Sequence, residues 1–269
     1  MASKPQEVRR SPVAALLYGA PIGFLGGLIG LGGAEFRLPV LAGMFGYAAR
    51  RAVALNLAIS LITVVSALLI RGGTLSLAPL LGLLPVVVAM IVGAVSAAYV
   101  GTALVHRISE RLLERVILVF LVVIGSALIV EAFLPQDVPG LLPGALPVRV
   151  IAAVVFGLAI GLVSSLLGVA GGELIIPTLV FAFGAGIKTA GTASLLISLP
   201  TVAVGVIRHG RLGSFADRAD LTQTVVPMGV GSVVGAVIGG SLVGAVPAAT
   251  LKLVLGVILI VSAVRIFYR

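Results

Sequence analysis

The stretch Gly30-Leu31-Gly32-Gly33-Ala34-Glu35-Phe36-Arg37-Leu38-Pro39 puts a glycine-rich break and two charged residues inside an apolar run. Its copy, Gly168-Val169-Ala170-Gly171-Gly172-Glu173-Leu174-Ile175-Ile176-Pro177, begins 138 residues later. Glycine at this density ends a helix and lays backbone bare. A carboxylate is costly in hydrocarbon and is rarely kept there without a task. The duplicated break and its glutamate decide how the rest of the chain is read.

The rest is built for a bilayer. Of 269 residues, 60% are hydrophobic and 10% charged, against about 25% charged in soluble domains. Mean hydropathy is +1.28. Runs such as Ala52–Ile70 and Leu112–Val130 carry no charge, or a few near one edge. Their length suits about 30 Å of hydrocarbon at about 1.5 Å per residue. They are apolar all round, which excludes the alternating strands of a β-barrel. The chain reads as an all-α polytopic membrane protein. The net charge of +9 does not call for nucleic acid, because the basic residues sit between apolar runs, where they set orientation. With no cysteine there is no disulfide or thiol chemistry. No cofactor or metal is expected, and His106 and His209 read as isolated loop residues.

Residues 1–12 read as a polar cytoplasmic tail. Val13–Leu28 has the basic flank of a cleaved leader, but the glycine motif follows it directly and recurs, so it is kept as a membrane segment. The first half, 13–131, continues with a short piece Glu35–Phe45 and runs at Ala52–Ile70, Leu77–Leu104 and Leu112–Val130. A linker rich in Pro and Gly occupies 132–148. The second half, 149–269, gives Val150–Leu167, Glu173–Phe183, Thr189–Ile207, Leu221–Val243 and Ala248–Ile266. Gly33/Gly171, Glu35/Glu173, Pro39/Pro177, Gly46/Gly184, Ser60/Ser198 and Thr63/Thr201 coincide at one offset, which marks an internal duplication.

Charge decides the topology. With five passages per half, the cytoplasmic side collects Arg50, Arg51, Arg107, Arg111, Arg115, Arg208, Arg211 and Arg218 together with both termini. Only Arg71, Arg149, Lys188 and Lys252 are left outside, so the positive-inside rule favours five over four. An odd number turns the second half over. The expectation is two inverted repeats of about five membrane segments each, each with a glycine-broken half-helix. Irregular backbone at that depth is tolerated only when it is buried in protein or lines a cavity.

The paired motif, the duplication and the size resemble the sulfite exporter TauE/SafE family, also called the toluene-sulfonate uptake permeases. The resemblance runs from about Val13 to Ile266. It implies an inner- or plasma-membrane carrier of sulfite, sulfonates and related organic anions. The chain departs from the family pattern at Ala34 and Ala170, where glycines are usual, and at Glu35 and Glu173, where an apolar residue is common.

Two broken segments at matching places of inverted halves point to a binding site near the midplane. Free backbone N–H groups at Gly32, Gly33 and Ala34, and at Ala170, Gly171 and Gly172, would converge on one anion; glycine serving helix packing alone is the alternative. A carboxyl out of water is cheaper neutral than ionised. Glu35 and Glu173 would then hydrogen-bond substrate and carry the coupling proton, or cap their own helix starts. Arg37, whose counterpart is Ile175, would contact Glu173 or a substrate sulfonate, or snorkel to the surface. Asn56, Ser60 and Thr63, matched by Ser194, Ser198 and Thr201, would line the site or bridge helices. The partners implied are a small anionic substrate, protons and lipid, and a homodimer is allowed. An anion channel of the same architecture is the alternative to a carrier. Neither an enzyme nor an ATP-driven pump is indicated, since no catalytic constellation or phosphate loop appears.

Overall fold

The computed structural model describes residues 10–29, 33–72, 78–133, 140–241 and 248–267, and these contain helices and no strand. Gly32, expected at the site, lies outside the described residues. The first half runs through α1 (Pro12–Ile29), α2 (Ala34–Pro39), α3 (Ala49–Gly72), α4 (Ala78–Leu81), α5 (Leu84–Arg107) and α6 (Glu110–Glu131). The second runs through α7 (Leu146–Leu167), α8 (Gly172–Pro177), α9 (Ile187–Arg211), α10 (Arg218–Asp220), α11 (Val226–Ser241) and α12 (Ala248–Phe267). Among the described residues, six helices are long and apolar enough to cross a membrane, so the chain is a polytopic helical membrane protein.

The two glycine breaks produce the same local structure. Gly33 and Gly171 take φ of 65° and 80°, a left-handed conformation that a Cβ makes costly. The six-residue helices that follow end on Pro39 and Pro177, and each passes into a π-helical turn, Val40–Met44 and Thr178–Ala182. Proline offers no N–H to the preceding turn, so the ladder changes register there. The expected half-helices Glu35–Phe45 and Glu173–Phe183 are present, shifted by one residue.

Long helices pair across the halves. α1 lies along α11, and α7 lies along α5. A methyl on Gly19 or Gly23 would come within 2.3 or 2.0 Å of the Met228 or Ser232 carbonyl oxygen. On Gly157 or Gly161 it would come within 2.4 or 2.2 Å of the Met90 or Ala94 oxygen. Each residue of the second set is its first-set counterpart displaced by the repeat offset. The duplication therefore extends to individual contacts, with backbones touching where small residues permit it. α3 packs on α9 and α6 on α12, so each of these meets its own counterpart.

Several expectations need correction. The run Leu77–Leu104 is not one helix: it turns at Gly82 and Leu83, and α5 starts with Pro85 in its first turn, where a missing N–H costs nothing. Leu221–Val243 begins as a π-helical turn, Leu221–Val225, before α11. The run expected at Val150–Leu167 begins earlier as a helix, since α7 starts at Leu146. His106 and His209 are not isolated loop residues. They occupy the last turns of α5 and α9, with His106 Nε2 3.3 Å from His209 Nδ1 and Ser214 Oγ within 3.4 Å of both. No group of three or more metal-ligating side chains occurs among the described residues. Arg50 does more than set orientation: it donates to the Val105 and Ile108 carbonyls at 3.0 and 2.7 Å, closing the end of α5.

Candidate functional site

The breaks bring charged side chains into the middle of the helix bundle. Glu35, in the first turn of α2, is fully buried, and Glu173, in the first turn of α8, is buried at 8% exposure. The two carboxyls lie within electrostatic reach of each other and repel when both are charged. Neither Glu35 oxygen meets a protein donor in hydrogen-bond geometry. The expected capping role is not taken up at Glu35, and neither short helix has a side-chain cap from its glycine N-cap.

Arg37 is fully buried, which removes the snorkelling alternative. Its Nε donates to Asn56 Oδ1 at 3.1 Å, one Nη to Ser60 Oγ at 2.9 Å and the other to Ser232 Oγ at 3.5 Å. Both glutamates act on it electrostatically. Asn56 in turn donates from Nδ2 to the Ala34 carbonyl at 2.8 Å. The chain of bonds runs from the backbone at the break to Asn56 and from Asn56 to Arg37, whose charge both carboxyls feel.

The second half answers with neutral groups. Ser198, the counterpart of Ser60, donates to the Ala170 carbonyl at 2.6 Å. Ser164 donates to the Val169 carbonyl, on the approach to the same break. Ser194 and Thr201 are buried on α9, and Thr201 bonds back to Ile197 O at 2.7 Å. Thr63 likewise bonds to Ser60 O at 3.0 Å. Of the predicted set, Gly33, Ala34, Glu35, Arg37, Ala170, Gly171, Gly172 and Glu173 lie on the two breaks, Asn56 and Ser198 bond their carbonyls, Ser60 bonds Arg37, and Ser194 is buried on α9, which packs on α8.

Ser232 was missed. It lies on α11, read in the sequence only as an apolar run. The available signal was its position: the one hydroxyl in the middle of a Gly- and Val-rich helix that otherwise has only Ser241 at its end, and whose counterpart in the first half is Ala94. Arg37 has the matching asymmetry, since its own counterpart is Ile175.

The comparisons agree with this architecture. No curated protein and no solved structure matches the chain. The family model described as Sulfite exporter TauE/SafE matches residues 1–128 and 152–269, one stretch in each half. With a match over nearly the whole length, the chain belongs to the sulfite exporter TauE/SafE family of membrane transporters.

Proposed function

We propose that the protein is a secondary carrier for a small sulfur-containing oxyanion or organic anion of the sulfite and sulfonate class, coupled to protons. The observation that carries this reading is the buried group formed by Glu35, Glu173 and Arg37 at two equivalent helix breaks. A fixed guanidinium suits an oxyanion in geometry and charge. Two facing carboxyls cannot both stay ionised beside an anion without repulsion. A proton on the pair relieves that repulsion and supplies a donor to substrate, which ties anion binding to proton binding.

The functional units are the halves 13–131 and 149–269 around a linker at 132–148. In an inverted arrangement with both termini cytoplasmic, each half reaches the site from its own side, and alternating access follows by rocking the pairs α1–α11 and α5–α7 against the rest. Gly33, Ala34, Ala170, Gly171 and Gly172, with Gly32, would offer backbone N–H groups to the anion. Asn56, Ser60, Ser194 and Ser198 would complete its polar surround. The protein would act in the cell membrane.

Reconstituted vesicles test this directly. An inward pH gradient should drive labelled sulfite or a simple sulfonate above its equilibrium concentration, and counterflow should saturate. Glu35→Gln and Glu173→Gln should abolish gradient-driven accumulation while leaving exchange measurable. Downhill flux with no accumulation and no counterflow would identify a channel instead.

A further inference from the structure

At the end of the molecule where α1 and α3 begin, charged side chains of the two halves meet. Arg10 donates to Asp220 Oδ1 at 3.0 Å and pairs with Asp217. Arg51 pairs with Asp217 at 3.5 Å and with Asp220. The Tyr47 hydroxyl donates to Asp220 Oδ1 at 3.1 Å and lies 2.8 Å from Thr224 Oγ1. Asp220 is 1% exposed and Tyr47 2%, while Arg10, Arg51 and Asp217 are about one third exposed. A buried carboxylate between two guanidiniums is strongly tied, because losing either partner strands a charge away from water.

The position of these residues gives the cluster its meaning. Tyr47 follows the π-helical turn that ends the first broken segment, and its ring stacks on Phe45 at 6.5 Å. Arg51 lies in the first turn of α3. Asp217, Asp220 and Thr224 lead into α11, which is packed backbone to backbone on α1. The cluster therefore clamps the α2–α3 corner to the α1–α11 pair.

The repeat supplies an internal control. Displaced by the repeat offset, Arg10, Tyr47, Arg51, Asp217, Asp220 and Thr224 become Val148, Ala185, Thr189, Pro79, Gly82 and Val86. None of these is charged. The corresponding α8–α9 corner is tied to α7 without an ion pair at these positions: Arg149 donates to the Phe183 carbonyl at 3.1 Å and lies over its ring.

We propose that this cluster is an ionic latch, which closes access to the buried site from the end where α1 and α3 begin and is not repeated at the matching positions of the other half. The proposal rests on the carrier reading above, and it makes opening at the two corners unequal: one must separate ion pairs between side chains, the other the hydrogen bond from Arg149 to the Phe183 carbonyl.

The chain has no cysteine, so single thiols report access cleanly. Ala52, beside Arg51, and its counterpart Ala190 are both fully buried. Ala52→Cys and Ala190→Cys would be labelled with a membrane-impermeant maleimide in vesicles of known orientation. Adding Asp220→Asn should speed Cys labelling at 52 about tenfold, as a lost ~1.4 kcal/mol would, and leave position 190 unchanged. Arg51→Gln, at a partly exposed residue, should do the same to a lesser degree, and serves if Asp220→Asn does not fold. High salt should also speed labelling at 52 with the latch residues intact. Unchanged labelling at 52, or an equal rise at 190, overturns the latch. Because labelling needs no substrate, that failure is distinct from a failure to transport sulfite.

Discussion

The two broken segments, 33–46 and 171–184, share a frame and differ in content. Both start on a left-handed glycine, place glutamate in the first turn, reach proline, widen into a π-helical turn and end on a second left-handed glycine. The frame is what duplication preserved, and it is what the backbone needs in order to stop and restart a helix inside a bundle. The content differs at a few positions. Arg37 bonds Asn56, Ser60 and Ser232 at the first break; displaced by the repeat offset, these become Ile175, Ser194, Ser198 and Ala94. Both breaks carry a buried glutamate, and the first adds an arginine held by three side chains where the second has isoleucine.

The largest expected effect comes from erasing that difference. Arg37→Met gives the first break an apolar side chain where the second has Ile175. Transport should fall about 100-fold, the scale set by ~3 kcal/mol for a buried charge removed from its partners. Thermal stability should fall too, since Asn56, Ser60 and Ser232 lose a buried partner, so flux is compared per folded protein. A vesicle flux within twofold of the wild type would show that Arg37 only holds α2 to α3 and α11.

Gly33 and Gly171 sharpen the comparison at the level of the frame. Alanine at either pays about 1–2 kcal/mol for its positive φ. At Gly33 the new methyl would also lie 2.8 Å from the Ile22 carbonyl oxygen, a backbone atom with little room to move. At Gly171 the nearest atom is a side-chain methyl of Ile160 at 3.1 Å. Gly33→Ala should therefore be the more destabilising by about 1 kcal/mol, in the range of ordinary overpacking. Equal melting shifts would mean that the first break relaxes as freely as the second.

A smaller effect is expected at the next helix. Asn56→Ser copies the second-half residue and removes two hydrogen bonds, one from Arg37 and one to the Ala34 carbonyl. At about 1 kcal/mol per bond, the loss should be near 1–2 kcal/mol and should appear as weaker anion-induced thermal stabilisation. The reciprocal Ser194→Asn has no arginine at position 175 to hold and should not strengthen binding.

How much of this was legible in the sequence follows from how each feature is encoded. The breaks and glutamates were legible because glycine, proline and an acid inside apolar sequence each carry a local cost that composition exposes. The asymmetry of Arg37 was legible because the repeat gives every residue a counterpart. The partners of Arg37 were only half legible: Asn56 and Ser60 lie on a helix with repeated polar spacing, whereas Ser232 is one hydroxyl brought in from 195 residues away. The contact between His106 and His209, and the cluster around Asp220, were not legible. Arg51 and Asp220 look like ordinary loop-end charges until the packing of α1 on α11 brings them together. Long-range pairing between halves leaves no periodic trace.

The smallest expected effect lies in that cluster, and it concerns Asp217. Its carboxyl is held below its ordinary value of 3.8 chiefly by the Ala219 backbone N–H, with Arg10 and Arg51 adding to it. A carboxyl depressed on folding supports the fold above its unfolded value and loses that support as pH falls through the folded value. Asp217 is exposed, so its pairs are screened and its contribution is small. The infrared band of its protonated carboxyl, taken as wild type minus Asp217→Asn, should therefore reach half its full height only below pH 3.8. The other end of the molecule has Pro79 at the matching position and should give no such band. Half height reached at or above pH 3.8 would mean that the Ala219 N–H and the two arginines do not grip Asp217. The latch would then rest on Asp220 alone.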